Sequence, residues 1–214
     1  MFNNSGVNGS WRKYVGKKNL IVGFEDRYPR PLAGTHLVVL RDPYNWLASR
    51  YEPSRLRKLR KTGYEPPEDG PFLRSMLGWL NTWKTIAKLH PNDFPPTYGN
   101  SRARVVLYNS WFLDEAYRRE LAGWLGREFT DAGLNDINKQ YGSSFDRHSY
   151  QGRAQEMKTL ERYKTVVTKP IFEKIFADDE AAEIASELFG AAFIANIFEE
   201  FRSAENVKAR EAAR

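Results

Sequence analysis

Three short apolar runs, set between stretches of helical period, constrain this chain's fold more than any other feature of it. They are Leu20-Ile21-Val22-Gly23-Phe24, His36-Leu37-Val38-Val39-Leu40 and Arg104-Val105-Val106-Leu107-Tyr108. None alternates with polar residues, so each fits a strand covered on both faces, as in a parallel sheet. The first closes on Glu25-Asp26-Arg27 and a Pro-rich turn, the second on Arg41-Asp42-Pro43. Pro43 suits the first turn of a helix, where its missing N–H costs nothing. Tyr44 to Leu59 then reads as helix, interrupted near Pro53. Phe72 to Leu89 carries apolar residues at 73, 76, 77, 80, 83, 86 and 87, a helical period. Leu113 to Leu125 reads as an amphipathic helix with Gly126 at its C-cap. Thr130 to Asp146 reads as irregular, and Arg153 to Lys164, Lys169 to Phe176 and Asp179 to Phe201 as helix. The last dozen residues are expected to fray. Strands interleaved with helices argue for one α/β domain, a parallel sheet flanked by helices.

Composition excludes several alternatives. The chain has 214 residues, 41% hydrophobic and 28% charged, unlike a disordered tail, a collagen-like fibre or a disulfide-stapled miniprotein. No apolar stretch approaches the ~18 residues that cross a bilayer, so no membrane span is expected. Residues 1–18, MFNNSGVNGSWRKYVGKK, are polar and aperiodic and lack the apolar centre of a secretory signal. They read as an irregular arm of a cytoplasmic protein. Thirty-three Lys and Arg against 27 Asp and Glu leave a net charge of +6, which suits an anionic ligand but is also common without one. Cysteine is absent, which removes disulfides, thiolate metal sites and a Cys nucleophile. Three scattered histidines, His36, His90 and His148, have no companion carboxylate motif, so no metal site is expected.

The most informative segment runs from Leu37 to Tyr51. A buried strand delivers Arg41 at its C-terminal end, where open α/β sheets bind ligands. A helix starts at once, and a helix N-terminus favours anions through its free N–H groups. Ser49 lies eight residues after Arg41, about two turns into that helix. An Arg fork at the strand end and a hydroxyl on the helix could grip one phosphate. The same spacing also fits an Arg41–Asp42 pair tying a βα corner, with Ser49 on an unrelated face.

Arg41-Asp42-Pro43 with Ser49 at Arg+8, straight after a buried strand, resembles the 3′-phosphate motif of the sulfotransferases that use 3′-phosphoadenosine 5′-phosphosulfate (PAPS). Three further segments are similar in the same order. Arg102 to Gly126 resembles the family's next strand and helix, with Tyr108-Asn109 where many members carry Tyr-Glu. Tyr141 to Lys164 resembles the late cofactor loop and following helix of the carbohydrate-type branch, where Gly152-Arg153 matches the pair that closes over the 3′-phosphate. The helix from Phe72 to Leu89 sits where the family places an aromatic residue near adenine; Trp79 and Trp83 share one face, and Trp79 is the expected contact. The resemblance covers roughly Leu20 to Lys164. It implies a sulfotransferase fold of the P-loop nucleotide-binding type, with PAPS or its product adenosine 3′,5′-bisphosphate as ligand and a hydroxyl acceptor on a carbohydrate or small molecule. It also implies a general base at the end of an early strand, the place Glu25 occupies. The family's opening strand and Gly-rich phosphosulfate loop are not found, so a sheet lacking its first βα unit is expected.

Arg55-Leu56-Arg57-Lys58-Leu59-Arg60-Lys61 is the densest basic run. Such a run is usually a solvated helix face, and here it also fits a rim for an acidic glycan or a nucleic-acid contact. Glu65, Glu68 and Asp69 follow it, which argues against nucleic acid. The sequence thus reads as a single domain over 1–214, with a C-terminal helical segment from 165 to 214. A sulfotransferase acting on a hydroxyl is the leading function. A non-catalytic sulfotransferase-like nucleotide-binding protein and a basic nucleic-acid-binding α/β protein are the alternatives.

Overall fold

The computed structural model describes residues 20–24, 35–65, 67, 70–88, 102–135, 150 and 153–212. Glu25, His90, His148 and Gly152 lie outside them. Three parallel strands, β1 (Leu20–Phe24), β2 (Thr35–Leu40) and β3 (Arg102–Leu107), form one sheet in the order β1-β2-β3. The register pairs Phe24 with Val39 and Leu40 with Leu107, so all three C-terminal ends lie along one edge. β2 is paired on both sides. A further strand could join the described sheet only beside β1 or β3.

Helix α1 spans Pro43–Thr62, α2 Gly70–Ala87, α3 Tyr108–Leu113, α4 Glu115–Trp124, α5 Pro170–Phe176, α6 Asp179–Phe189 and α7 Ala191–Ala212. The pleat divides the strand side chains between two layers of helix. Val38, Leu40, Val105 and Leu107 face α1, α2, α5, α6 and α7 in the main core, which holds Trp46, Trp83, Tyr51 and Phe172. Leu37, Val39 and Val106 face the other way, against Trp111, Tyr117 and Leu121 of α3 and α4. Cover on both faces is the physical reason the runs are continuously apolar. The molecule is α/β in class. No helix among the described residues is long and apolar enough to cross a membrane.

Several elements differ from expectation. Pro53 does not interrupt α1, which is helical from Pro43 to Thr62. The cost is the backbone bond that its missing N–H would have given to the carbonyl of Ser49. The helix expected from Leu113 to Leu125 is α4, which Asp114 starts by accepting the N–H of Ala116; the difference is α3 before it, which takes Tyr108, expected in the strand, into a helix. The helix from Asp179 breaks at Gly190, whose φ of 93° only glycine adopts at little cost. The helix then continues to Ala212, beyond the point where fraying was expected. The largest departure is Arg153 to Lys164. It forms two short 3₁₀ turns, Ala154–Glu156 and Arg162–Thr165, joined by irregular chain. Most of its backbone bonds are short turns, and two of its backbone groups, the Leu160 carbonyl and the Tyr163 N–H, bond to a distant side chain.

Candidate functional site

The carboxyl edge of the sheet is built by Arg41-Asp42 leaving β2 and Tyr108-Asn109 leaving β3, which continue the strand register side by side. The Arg41 guanidinium lies over the Tyr108 ring, 5.8 Å from its centroid, a geometry that suits a cation on a π face. Tyr108 itself stacks on Trp111 and Phe112 of α3, at 5.8 and 5.9 Å. The Arg41 carbonyl accepts the indole N–H of Trp83 at 2.8 Å, which ties the strand end to α2. Arg41 is partly exposed.

Asp42 is fully buried and caps α1. Its carboxylate accepts the Asn45 backbone N–H at 2.9 Å, the Asn45 amide at 3.1 and 3.2 Å, and the Asn109 amide at 2.9 Å. The Asp42 backbone N–H donates to Asn109 Oδ1 at 3.3 Å. Burial pushes the carboxyl pKa above its ordinary 3.8, against the downward pull of these hydrogen bonds and of Arg41. The sequence reading expected free N–H groups at this helix start. The chain's own carboxylate occupies that position.

Asn45 is the hub of the corner. Besides Asp42, its amide nitrogen donates to the Leu160 carbonyl at 3.1 Å, and its Oδ1 accepts the Tyr163 N–H at 3.2 Å. These bonds join positions 115 and 118 residues apart. They account for the missing helix: Leu160 and Tyr163 spend their backbone groups on Asn45 instead of on a helical ladder. Tyr163, Val166 and Val167 follow into the main core. The late segment therefore returns to the first turn of α1, seven residues beyond Arg153.

The expected site residues take the following positions. Ser49 is buried, at 9% exposure, and its hydroxyl donates to the Trp46 carbonyl at 2.6 Å, turned back along its own helix. Gripping a phosphate would require that proton to leave Trp46. Arg153 is exposed, its N–H bonded to the Tyr150 carbonyl at 2.7 Å and its guanidinium 3.4 Å from Glu156. Trp79 is partly buried against the main core, while Trp83, one turn on, reaches the Arg41 corner. Glu25 and Gly152 lie outside the described residues; β1 ends at Phe24, opposite Val39.

Asn45 has no place in the sequence reading, and Tyr108, Asn109 and Trp83 enter it only through the family resemblance, without the contacts they make here. One signal was available for Asn109. It is the second residue past β3, as Asp42 is past β2, so parallel strands bring the two together. Among the described residues three buried polar atoms, Tyr44 Oη, Trp46 Nε1 and Thr159 Oγ1, have no hydrogen-bond partner. Burial, and then the nearby Asp42, Asp178 and Asp179, raise the Tyr44 phenol well above its usual range.

A second concavity, of about 210 Å³, lies against α4 and is lined by Trp111, Arg118, Leu121, Leu125, Asp131 and Leu134. Arg118 is bound there to Asp131 at 2.7 Å and to the Trp111 carbonyl at 2.9 Å, a clamp on the 127–131 segment. No family model, curated protein or solved structure matches the chain.

Proposed function

We propose that this chain is a sulfotransferase-type protein that binds the 3′-phosphate side of PAPS or adenosine 3′,5′-bisphosphate at the Arg41 corner. One observation supports the reading above others. Arg41 leaves a central parallel strand at the carboxyl edge, and Asn45 draws the late segment back to the turn that follows it. In a parallel α/β sheet this edge is where nucleotides bind. The residues fit the ligand in part. Arg41 and Arg153 supply cations with some exposure, and Ser49 supplies a hydroxyl once it gives up the Trp46 carbonyl.

In the full reading Arg41, Ser49, Gly152 and Arg153 hold the 3′-phosphate, Trp79 lies near the adenine and Glu25 is the base. Sulfuryl transfer forms a bond from the acceptor oxygen to sulfur and breaks the bond from sulfur to the 5′-phosphate oxygen. The acceptor proton passes to Glu25, and adenosine 3′,5′-bisphosphate leaves with the bond electrons. A group suited to the base role must sit within hydrogen-bond reach of the acceptor hydroxyl.

A second reading, nucleotide binding without transfer, needs the Arg41 corner and no base; the Ser49–Trp46 bond and Asp42 filling the helix start weigh on both readings alike, since each removes a group that could hold the phosphate. The two are separated by incubating the chain with radiolabelled PAPS and a panel of sugar and phenolic acceptors. Label transfer that is lost in Glu25→Gln supports the enzyme. Nucleotide binding with no transfer to any acceptor supports the second reading.

A further inference from the structure

Arg41 is held at both of its ends. Its backbone carbonyl accepts the indole N–H of Trp83 at 2.8 Å, from a side chain of α2 that is itself fully buried. Its guanidinium lies over the Tyr108 ring, 5.8 Å from the centroid. The two supports come from opposite sides of the sheet. Trp83 belongs to the main core. By the alternation of the strand Arg41 follows Leu37 and Val39 toward the layer of α3 and α4, where Tyr108 opens α3.

The Tyr108 ring is fixed in its turn. Side chains three and four positions on along a helix are neighbours, and here they are Trp111 and Phe112. They stack on Tyr108 at 5.8 and 5.9 Å, with interplanar angles of 29° and 22°. The far end of the helix is closed by Arg118, which donates to the Trp111 carbonyl at 2.9 Å and the Phe112 carbonyl at 3.4 Å and is anchored to Asp131 at 2.7 Å. A helix of six residues is marginal by itself. The ring stack and the clamp keep its first side chain in place.

Ordering a long side chain when a ligand binds costs affinity, and Arg41 is partly exposed at the sheet edge. A ring face lowers that cost. It attracts the guanidinium through its quadrupole, and the contact itself uses none of the N–H donors that would meet an oxyanion. Trp83 likewise engages only the backbone carbonyl. We infer that Tyr108 and Trp83 are the positioning residues of the Arg41 corner: together they preset the guanidinium for the 3′-phosphate, and neither touches the ligand. This rests on the sulfotransferase reading for the identity of the ligand, and it adds to that reading what sets the direction of the cation.

The test combines calorimetry and NMR on the full chain, with circular dichroism as the check on folding. Adenosine 3′,5′-bisphosphate and adenosine 5′-monophosphate are titrated into wild type, Tyr108→Phe, Tyr108→Leu and Trp83→Phe. Tyr108→Leu should bind the bisphosphate roughly two- to twelvefold more weakly, the cost of ordering one long side chain on binding. Tyr108→Phe keeps the ring face and loses the hydroxyl, so it should bind as wild type does. Trp83→Phe keeps a buried ring and loses the N–H, so it should also weaken binding, by no more than that factor. The monophosphate lacks the group that Arg41 meets, and all four chains should bind it alike. In an Arg41→Ala chain, Tyr108→Leu should cost nothing further. The Arg41 side-chain protons of wild type should show an upfield ring-current displacement that Tyr108→Phe keeps and Tyr108→Leu loses.

Full bisphosphate affinity in folded Tyr108→Leu or Trp83→Phe overturns the proposal. So does an equal loss for the monophosphate, a further loss on the Arg41→Ala background, or absence of the ring-current displacement. A loss in Tyr108→Phe overturns it as well, since the hydroxyl would then meet the ligand. A wild-type chain that shows the displacement and binds neither nucleotide removes the sulfotransferase reading and, with it, the role in binding; the displacement then shows that the failure lies with the ligand and not with the seating of Arg41.

Discussion

Replacing Asn45 by Ala should unfasten the late segment from the sheet edge. The side chain makes four hydrogen bonds at 3.1–3.2 Å, two to Asp42, one to the Leu160 carbonyl and one from the Tyr163 N–H. Alanine leaves the Leu160 and Tyr163 groups without their partner and strips one donor from a buried carboxylate. A buried group left unsatisfied costs about 1–3 kcal/mol, more when charged. Asp42 keeps the backbone N–H of residue 45 and the Asn109 amide, so its share is small. Water that enters the opened site offsets part of the rest. The expected loss is about 3–4 kcal/mol, a large part of the 5–15 kcal/mol that holds a typical domain together. Urea unfolding at pH 7 measures it, with Asn81→Ala on the exposed side of α2 as a control expected within about 0.5 kcal/mol. Hydrogen exchange should show the Tyr163 amide losing protection before the strands do. A loss under about 1 kcal/mol with Tyr163 still protected would refute the hub.

Asp42→Asn should change the pH dependence of stability more than its level at any one pH. The folded pKa of Asp42 lies above 3.8, so between that value and the raised one the folded chain holds a proton that the unfolded chain has lost. Wild type should therefore gain stability relative to Asp42→Asn as pH falls from 7 toward 4, and lose it as pH rises; a flat difference curve in urea titrations would contradict the burial argument. Gly190→Ala should cost about 1–3 kcal/mol in thermal or urea unfolding through backbone strain alone, since an added Cβ meets nothing within 4 Å while φ is 93°. No effect would mean that the α6–α7 junction relaxes freely.

What could be read from sequence follows from how far each structure-forming interaction reaches. The three strands and the starts of α1 and α2 rest on local signals, continuous apolar runs, Pro43 and the spacing of Leu73, Met76, Leu80 and Trp83. These survive in the folded chain because both sheet faces are covered. The break at Gly190 was equally local, and the helical pattern running across it hid it. The Arg153 to Lys164 segment failed for a different reason. Its periodicity is helical, but two of its backbone groups go to Asn45, more than a hundred positions away, and no local pattern reports that. The Asp42–Asn109 pair sits between these cases, because it follows from strand register once parallel pairing of β2 and β3 is known. Of the residues proposed to grip a phosphate, Arg41 stands at the edge where its strand placed it. Ser49 shows why spacing alone did not decide the site: Arg+8 sets its place on α1, while the helix carbonyl of Trp46 accepts its hydrogen bond.

The central claim, an anion-gripping corner at Arg41, is tested most directly by calorimetric titration of adenosine 3′,5′-bisphosphate into wild type, Arg41→Ala and Ser49→Ala. The account predicts binding by wild type, weakened about tenfold or more in Arg41→Ala and less in Ser49→Ala, because charge-assisted hydrogen bonds are roughly twice as strong as neutral ones. No heat of binding in wild type, or equal affinity in a folded Arg41→Ala chain, would contradict it.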